Sequence, residues 1–350
     1  MFRSAATLLS ASLGAITAAA QATTGGDFDV TGPQLYPEKC VFDSKRDVMY
    51  CSELYESKIA VVDLKTNTIV KTIDFPGLSG VADYHASGVL LQGADRLISS
   101  INTGAAFESS GGNITGTNFL LITDLETGEE KARVDVTAVT KGAYGGPQDF
   151  ATDTCGNIYE VFTYPGAVIK VTPSLKAIPW YLSGDTDATK TGFTGIASKG
   201  NLLLTSNQQQ GGKLIRFDAR DKTGQPFEVS IANNGTLGGD LDGISLPAKY
   251  NGTVLLVTSS EKGTAVFRSK DGKWDSAEKL GTVPNPQWDK QGFATITFDR
   301  ADRIYHVFEW FLDSRAPPNL NGLSGNRTVF PFQDITDAVD KLVGKGARAF

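Results

Sequence analysis

Residues 38–52 read Glu38-Lys-Cys-Val-Phe-Asp-Ser-Lys-Arg-Asp-Val-Met-Tyr-Cys-Ser52. Two short apolar runs, Cys40-Val-Phe-Asp43 and Val48-Met-Tyr-Cys51, flank the polar turn Ser44-Lys-Arg-Asp47, which is the pattern of a β-hairpin. Counting outward from the turn sets Cys40 opposite Cys51, and directly opposed Cβ atoms on a ladder come within disulfide reach. The alternative is a pair of reduced, packed thiols; an oxidising compartment favours the bridge. Cys155, the last of three cysteines, is left over in a predicted hairpin turn and is expected to be unreactive.

The same unit recurs along the chain. Predicted innermost strands are Cys40–Asp43, Gly80-Val-Ala-Asp83, Gln148-Asp-Phe-Ala151, Thr194-Gly-Ile-Ala197, Asp242-Gly-Ile-Ser245 and Ala294-Thr-Ile-Thr-Phe298. Each precedes a polar turn and a second strand: Val48–Cys51, Val89–Gln92, Asn157–Glu160, Asn201–Leu204, Thr253–Leu256 and Arg303–His306. Third strands follow, such as Ile59–Val62, Phe119–Ile122 and Val168–Val171, and outer strands such as Ile69–Ile73 close most units. A period of about 40 to 60 residues is that of propeller blades. The expected fold is all-β: a six-bladed β-propeller of four-stranded antiparallel blades. The last unit lacks an outer strand, and Phe28-Asp-Val30 is expected to supply it, closing the ring with an N-terminal strand and leaving only short edges. Tandem β-sandwiches fit less well, because the units are alike and no linker separates them. A short amphipathic helix is predicted over residues 334–342, with Ile335, Val339 and Leu342 on one face.

Arg3, the Ala/Leu/Ser/Thr-rich stretch from Ala5 to Ala19 and the small residues Ala18-Ala19-Ala20 have the form of a signal peptide over residues 1–20. The stretch is too short and too weakly apolar to span a bilayer, and no later segment approaches ~20 apolar residues. Residues 21–350 are then one secreted or secretory-lumen domain. Asn113, Asn234, Asn251 and Asn326 each open a glycosylation sequon. The net charge of −6 comes with no Lys/Arg cluster, which argues against nucleic-acid and anionic-membrane partners. No apolar surface stripe marks an oligomer interface.

In a propeller the starts of the inner strands converge on the axis. Glu38, Asp83 or a neighbour, Gln148 with Asp149, Thr194, Asp242 and Gln291 are therefore expected around one pocket. Polar groups there need partners, a metal or water; bonding to a neighbouring blade's backbone is the plainer alternative. Tyr164, Phe193, Trp288, Trp310 and Phe311 stand near strand ends and are candidate walls for an apolar small-molecule substrate. Residues 95–117 and 309–326 form two long connections, readable as lids or, for 104–116, as a glycan-bearing loop. His85 is expected exposed in a hairpin turn and His306 packed in a strand. No metal cluster, catalytic triad or phosphate-binding fingerprint is apparent; Gly142–Gly146 and Gly235–Gly239 read as turns.

The stretch 38–52 resembles the opening blade of the gluconolactonase/senescence-marker/strictosidine-synthase propeller superfamily, and Leu241-Asp-Gly-Ile-Ser245 resembles its fifth-blade strand start. Lactonases of that superfamily hold a divalent ion, usually calcium, on the axis through a Glu, an Asn and an Asp. Glu38 and Asp242 match the acids, whereas Thr194-Gly195 replaces the Asn-Gly, so an amide ligand is missing. Tyr36 through Leu64 and the leader are similar to fungal propeller proteins of specialised-metabolite clusters, including trichothecene-cluster proteins and hetero-Diels–Alderases of tropolone sesquiterpenoids. That resemblance implies terpenoid-type ring formation with no metal or organic cofactor. Glu38, Asp149 or Asp242 would then donate a proton to a leaving hydroxyl, and aromatic walls would hold an alkene against the resulting quinone methide. A calcium-dependent lactonase using Glu38 and Asp242, and a non-catalytic binding propeller, are the competing readings.

Overall fold

The structure is a computed structural model that describes residues 25–313 and 324–346. After β1 (Phe28–Thr31), the first hairpin unit comprises β2 (Pro37–Asp43), β3 (Val48–Glu53), β4 (Lys58–Asp63) and β5 (Thr68–Ile73). The second comprises β6 (Tyr84–Gln92), β7 (Arg96–Thr103), β8 (Phe119–Asp124) and β9 (Glu130–Asp135), with the single-turn helix α1 (Ala105–Glu108) between β7 and β8. Then come β10 (Gly145–Thr152), β11 (Ile158–Tyr164), β12 (Ala167–Val171) and β13 (Ala177–Leu182), followed by β14 (Phe193–Lys199), β15 (Leu202–Asn207), β16 (Lys213–Asp218) and β17 (Phe227–Glu228). The next sheet holds β18 (Ser230–Ile231), β19 (Leu241–Ser245), β20 (Val254–Ser259), β21 (Gly263–Arg268) and β22 (Ser276–Val283). β23 (Phe293–Arg300), β24 (Arg303–Glu309), β25 (Val329–Asp334) and the helix α2 (Thr336–Gly346) complete the chain.

The protein is all-β apart from these helices, built from four-stranded sheets, one five-stranded sheet and one of eight strands. The eight-stranded sheet runs β2-β3-β4-β5-β1-β25-β24-β23. Its halves meet through a single parallel residue pair, Thr31 with Thr68, whereas β1 pairs antiparallel with β25 over Phe28 to Thr31. The first strands touch one another in turn: β2 meets β6, β6 meets β10, β10 meets β14, β14 meets β19, β19 meets β23, and β23 returns to β2.

Period-2 alternation divides the core between faces. On β3, Met49 and Cys51 enter a cluster with Phe298, Tyr305 and Phe330, while Tyr50 between them packs with Val89, Leu97 and Leu121. On β15, Leu203 joins Trp180 and Phe217 while Leu204 joins Leu255 and Trp274. The inner strands are thus covered on both faces by neighbouring sheets. Cys40 lies opposite Cys51 and the two form a disulfide; Cys155 is exposed in the turn after β10. Asn113, Asn234, Asn251 and Asn326 are all exposed. Among the described residues no helix is long and apolar enough to cross a membrane; the predicted leader lies outside them.

The second unit departs from its predicted register. Gly80–Asp83 is a turn, Val89–Gln92 belongs to the first strand rather than the second, and β7 occupies 96–103. The long connection is therefore 104–118, not 95–117. The second long connection falls largely outside the described residues.

One irregularity recurs at each first strand. Register slips between Pro37 and Cys40, Ala86 and Val89, Pro147 and Asp149, Phe193 and Gly195, Leu241 and Ile244, and Ala294 and Ile296. A bulge re-aims the unpaired residue away from the ladder. Gly195 sits beside one such slip, where an added Cβ would lie 2.7 Å from the Ile244 nitrogen and 3.0 Å from the Gly243 Cα. Backbone cannot yield there. Gly195→Ala is expected to lower unfolding free energy by about 1–3 kcal/mol, measured by urea denaturation; an unchanged midpoint would contradict the tight β14–β19 approach.

Candidate functional site

The slipped residues form the floor of the site. Glu38 and Lys39 from β2, Gln148 and Asp149 from β10, Thr194 from β14, Asp242 and Gly243 from β19, and Thr295 and Ile296 from β23 line a small axial chamber. Above it opens a cavity bounded by Glu38 and Gln148 below and by Leu54, His85, Ser87, Asn102, Phe107, Pro147, Thr163, Tyr164 and Phe311. Glu38 and Gln148 are shared by both spaces.

Hydrogen bonds fix this floor. The Gln148 amide donates to Asp242 Oδ1 at 3.0 Å while its carbonyl accepts from the Thr163 hydroxyl at 2.9 Å. Thr194 Oγ1 donates to the Asp242 carbonyl at 3.0 Å and lies 3.0 Å from Ser206 Oγ. Asp149 accepts from the backbone N–H of Phe150 at 2.7 Å and of Ile196 at 3.3 Å, and forms a buried ion pair with Lys39. On the cavity side, Asn102 Nδ2 donates to Ser87 Oγ and to the Pro147 carbonyl. Glu38 Oε2 is buried without a partner.

Burial dominates the electrostatics. It pushes the Glu38 carboxyl up to about 7, with the Asp149 charge adding and a hydrogen bond from Gln148 opposing. Burial, with Glu38 next, holds Asp242 well above the ordinary carboxylate range. Asp149 is also raised by burial, with the Lys39 ammonium pulling against it. Glu160, behind β10, is pushed up to about 8 by burial although it accepts a 2.8 Å bond from Ser100. His85 is driven down to about 4 by burial, so its imidazole is neutral at pH 7.

Several predicted residues converge: Glu38, Gln148, Asp149, Thr194 and Asp242 share the floor, and Tyr164 and Phe311 stand on the cavity wall. Others do not. Asp83 and Gln291 are exposed in the turns before β6 and β23, and Ser87 and Thr295 hold the corresponding inner positions. Phe193 is core, packed on Tyr181 and Phe217. Trp310 is buried against Phe308 and Phe330, with Arg327 stacked on it and its indole N–H given to the Lys290 carbonyl. Trp288 is 37% exposed, edge-on to Phe293, and does not line the cavity. His85, expected in an exposed turn, is instead buried on β6 with its ring on the cavity, edge-on to Tyr55 and Phe107. Gly104 makes room for it, since a Cβ there would sit 2.6 Å from His85 Nε2. His306 is packed as expected, bonded to Gln333 and Thr264.

The floor does not fit the calcium ion that the superfamily resemblance implies. Such an ion needs about six to eight oxygen lone pairs converging on one point. Here Asp149 is engaged by an ammonium, Asp242 receives an amide N–H, and the Thr194 hydroxyl is directed at a backbone carbonyl. Among the described residues no group of three or more His, Cys, Asp or Glu side chains is placed to hold a metal.

Comparison with known proteins agrees with this architecture. Residues 17–285 match the Mal s 1 allergenic protein-like family, and the chain belongs to it. Trichothecene biosynthesis protein 14 of Trichoderma arundinaceum is 32% identical over 91% of this chain and 90% of its own length. Among solved structures, the major Malassezia sympodialis allergen Mala s 1 superposes with a TM-score of 0.75 at 23% identity, over 88% of this chain and 95% of that one. A gluconolactonase of Xanthomonas campestris superposes at 0.53 with 14% identity, over 88% and 89% of the two chains. Those two likenesses speak to fold alone.

Glu160 gives a pH test of the buried acids behind the floor. Unfolded, a glutamate deprotonates near pH 4.5; folded, Glu160 holds its proton to about 8. Between these values the native state carries the extra proton, so stability falls as pH rises, by about 1.4 kcal/mol per unit for this group. Glu160→Gln removes that dependence. Its stability relative to wild type is expected to improve steadily from pH 5 to pH 8 in urea titrations; a difference that stays flat would contradict the raised value.

Proposed function

We propose that this member of the Mal s 1 allergenic protein-like family is a six-bladed β-propeller, closed by β1, that acts as a cofactor-free cyclase in fungal specialised metabolism. The six-blade reading treats the eight-stranded sheet as two blades joined only at Thr31 and Thr68, with β1 as the outer strand beside β25. The disulfide and four exposed sequons support a secretory compartment. A relative named for trichothecene biosynthesis supports the metabolic role.

One observation carries the chemistry. Of Glu38, Asp149 and Asp242, only Glu38 borders the aromatic cavity as well as the polar chamber. Asp149 is tied to Lys39, and Asp242 faces the chamber alone. Glu38 therefore presents a carboxyl that retains its proton near neutral pH to a space walled by Leu54, Phe107, Tyr164 and Phe311. In the reaction we assign, that carboxyl protonates the leaving hydroxyl of a hydroxymethyl-tropolone-like precursor. The C–O bond breaks and water departs. The ring hydroxyl's electron pair becomes a carbonyl, and its proton returns to Glu38, leaving a quinone methide. An alkene then adds across the O=C–C=C unit, forming one C–O and one C–C bond with no atom lost. Holding both partners in register is worth ~7–11 kcal/mol, and the apolar walls keep water from the electrophile.

The presence of Glu38 and Asp242 on one axis favours a second reading, hydrolysis of a lactone. The two separate in one experiment. Purified protein is incubated with a hydroxymethyl-tropolone precursor plus a terpene alkene, and in parallel with lactones, with and without a chelator. The cyclase reading expects adduct formation that survives chelation and falls about 10²–10⁴-fold in Glu38→Gln, with substrate affinity retained. An adduct yield equal to the uncatalysed control, or unaffected by Glu38→Gln, removes it; chelator-sensitive lactone opening installs the second.

A further inference from the structure

The axial chamber contains one feature that neither the metabolic role nor the family likeness assigns: a lysine. We infer that Lys39 is the resident cation of this axis, its ammonium filling by covalent attachment the place that a divalent ion takes among converging carboxylates. The slip between Pro37 and Cys40 turns Lys39 into the chamber, beside Glu38 and opposite Asp149. Its side chain is 13% exposed and that of Asp149 4%. A lysine placed so deep needs a specific anion; the Asp149 carboxylate supplies it.

The rest of the chamber is built around that pair. Backbone N–H groups of Phe150 and Ile196 orient both Asp149 oxygens, one each, with the Lys39 contact on Oδ1. Gln148 points an N–H at Asp242, the neighbouring carboxylate. Thr194 turns its hydroxyl proton to the Asp242 carbonyl and so offers no preformed cradle. An entering divalent ion would have to expel an ammonium held at high local concentration by its own tether, and then reverse the Gln148 amide to gain an oxygen ligand. Activation of a substrate oxygen at this floor accordingly comes from hydrogen-bond donors and a fixed monovalent charge.

The test needs no substrate, so its outcome is independent of the cyclase reading. Wild-type protein is dialysed against calcium chloride, its metal content is measured by mass spectrometry, and its melting is followed with added calcium, with methylammonium and with sodium chloride of matched ionic strength. Wild type is expected to hold no stoichiometric calcium and to show no cation-specific shift. Lys39→Ala vacates the ammonium position; its melting temperature should fall at neutral pH and rise again with calcium or methylammonium beyond the sodium control, as binding to the native state requires. Lys39→Arg should remain as indifferent to calcium as wild type. If Lys39→Ala does not fold, the double change Lys39→Ala/Asp149→Asn, which removes both charges, is expected to fold and to melt without response to either cation. One equivalent of calcium in wild type, a calcium response in Lys39→Arg, or identical melting of Lys39→Ala in all three salts overturns the inference.

Discussion

A first strand that ran in unbroken register would bury its alternate side chains in the inter-sheet cores and offer the axis only backbone. The slips in β2, β6, β10, β14, β19 and β23 prevent this, each at a comparable depth. An extra residue per strand leaves the ladder and turns inward. Glu38, Lys39, Ser87, Gln148, Thr194, Asp242 and Thr295 all owe their place to that device, and every chemical property of the centre follows from it. Close approach of neighbouring strands is the other half of the constraint; Gly195 permits it where a side chain would strike β19.

Polar groups gathered this way lose water, and the floor compensates unevenly. Asp149 has a cation and two backbone N–H groups; Asp242 has one amide; Glu38 keeps one oxygen without a partner. The three acids therefore differ in environment because they differ in partners, although all three line one chamber. Charge settles on Asp149, which has the ammonium beside it, while burial raises both Glu38 and Asp242. Glu38 is also the acid that borders the apolar cavity, so the available proton and the space for an apolar molecule coincide.

Much of this was legible in the sequence where the pattern was strong. The turn Ser44–Asp47 fixed the count that paired Cys40 with Cys51, and apolar runs located most strands to within a few residues. The bulges themselves were the obstacle. In β6 the slip falls at Ser87-Gly88, which interrupts apolar alternation and imitates a hairpin turn, so a nine-residue strand was divided and His85 was expected in solvent. At β23 the polar Gln291 before the strand stood in for Thr295 within it. Lys39 gave no signal, since a lysine near a strand end ordinarily belongs to the surface. Trp310 and Phe193 were expected at the pocket because they stand near strand ends, whereas flanking aromatics claim them for the core.

The partnership of β1 with β25 has a bearing on biosynthesis. A ribosome delivers Phe28 to Thr31 early, but their antiparallel mate, Val329 to Phe332, emerges much later. Until then the leading segment has nothing to zip against, and the edges of β5 and β24 stay open to foreign strands. Pairing of β1 with β25 is thus a late event of very long sequence separation, slow by nature. Late truncations that remove β25 are therefore expected to fail by aggregation rather than by loss of chemistry.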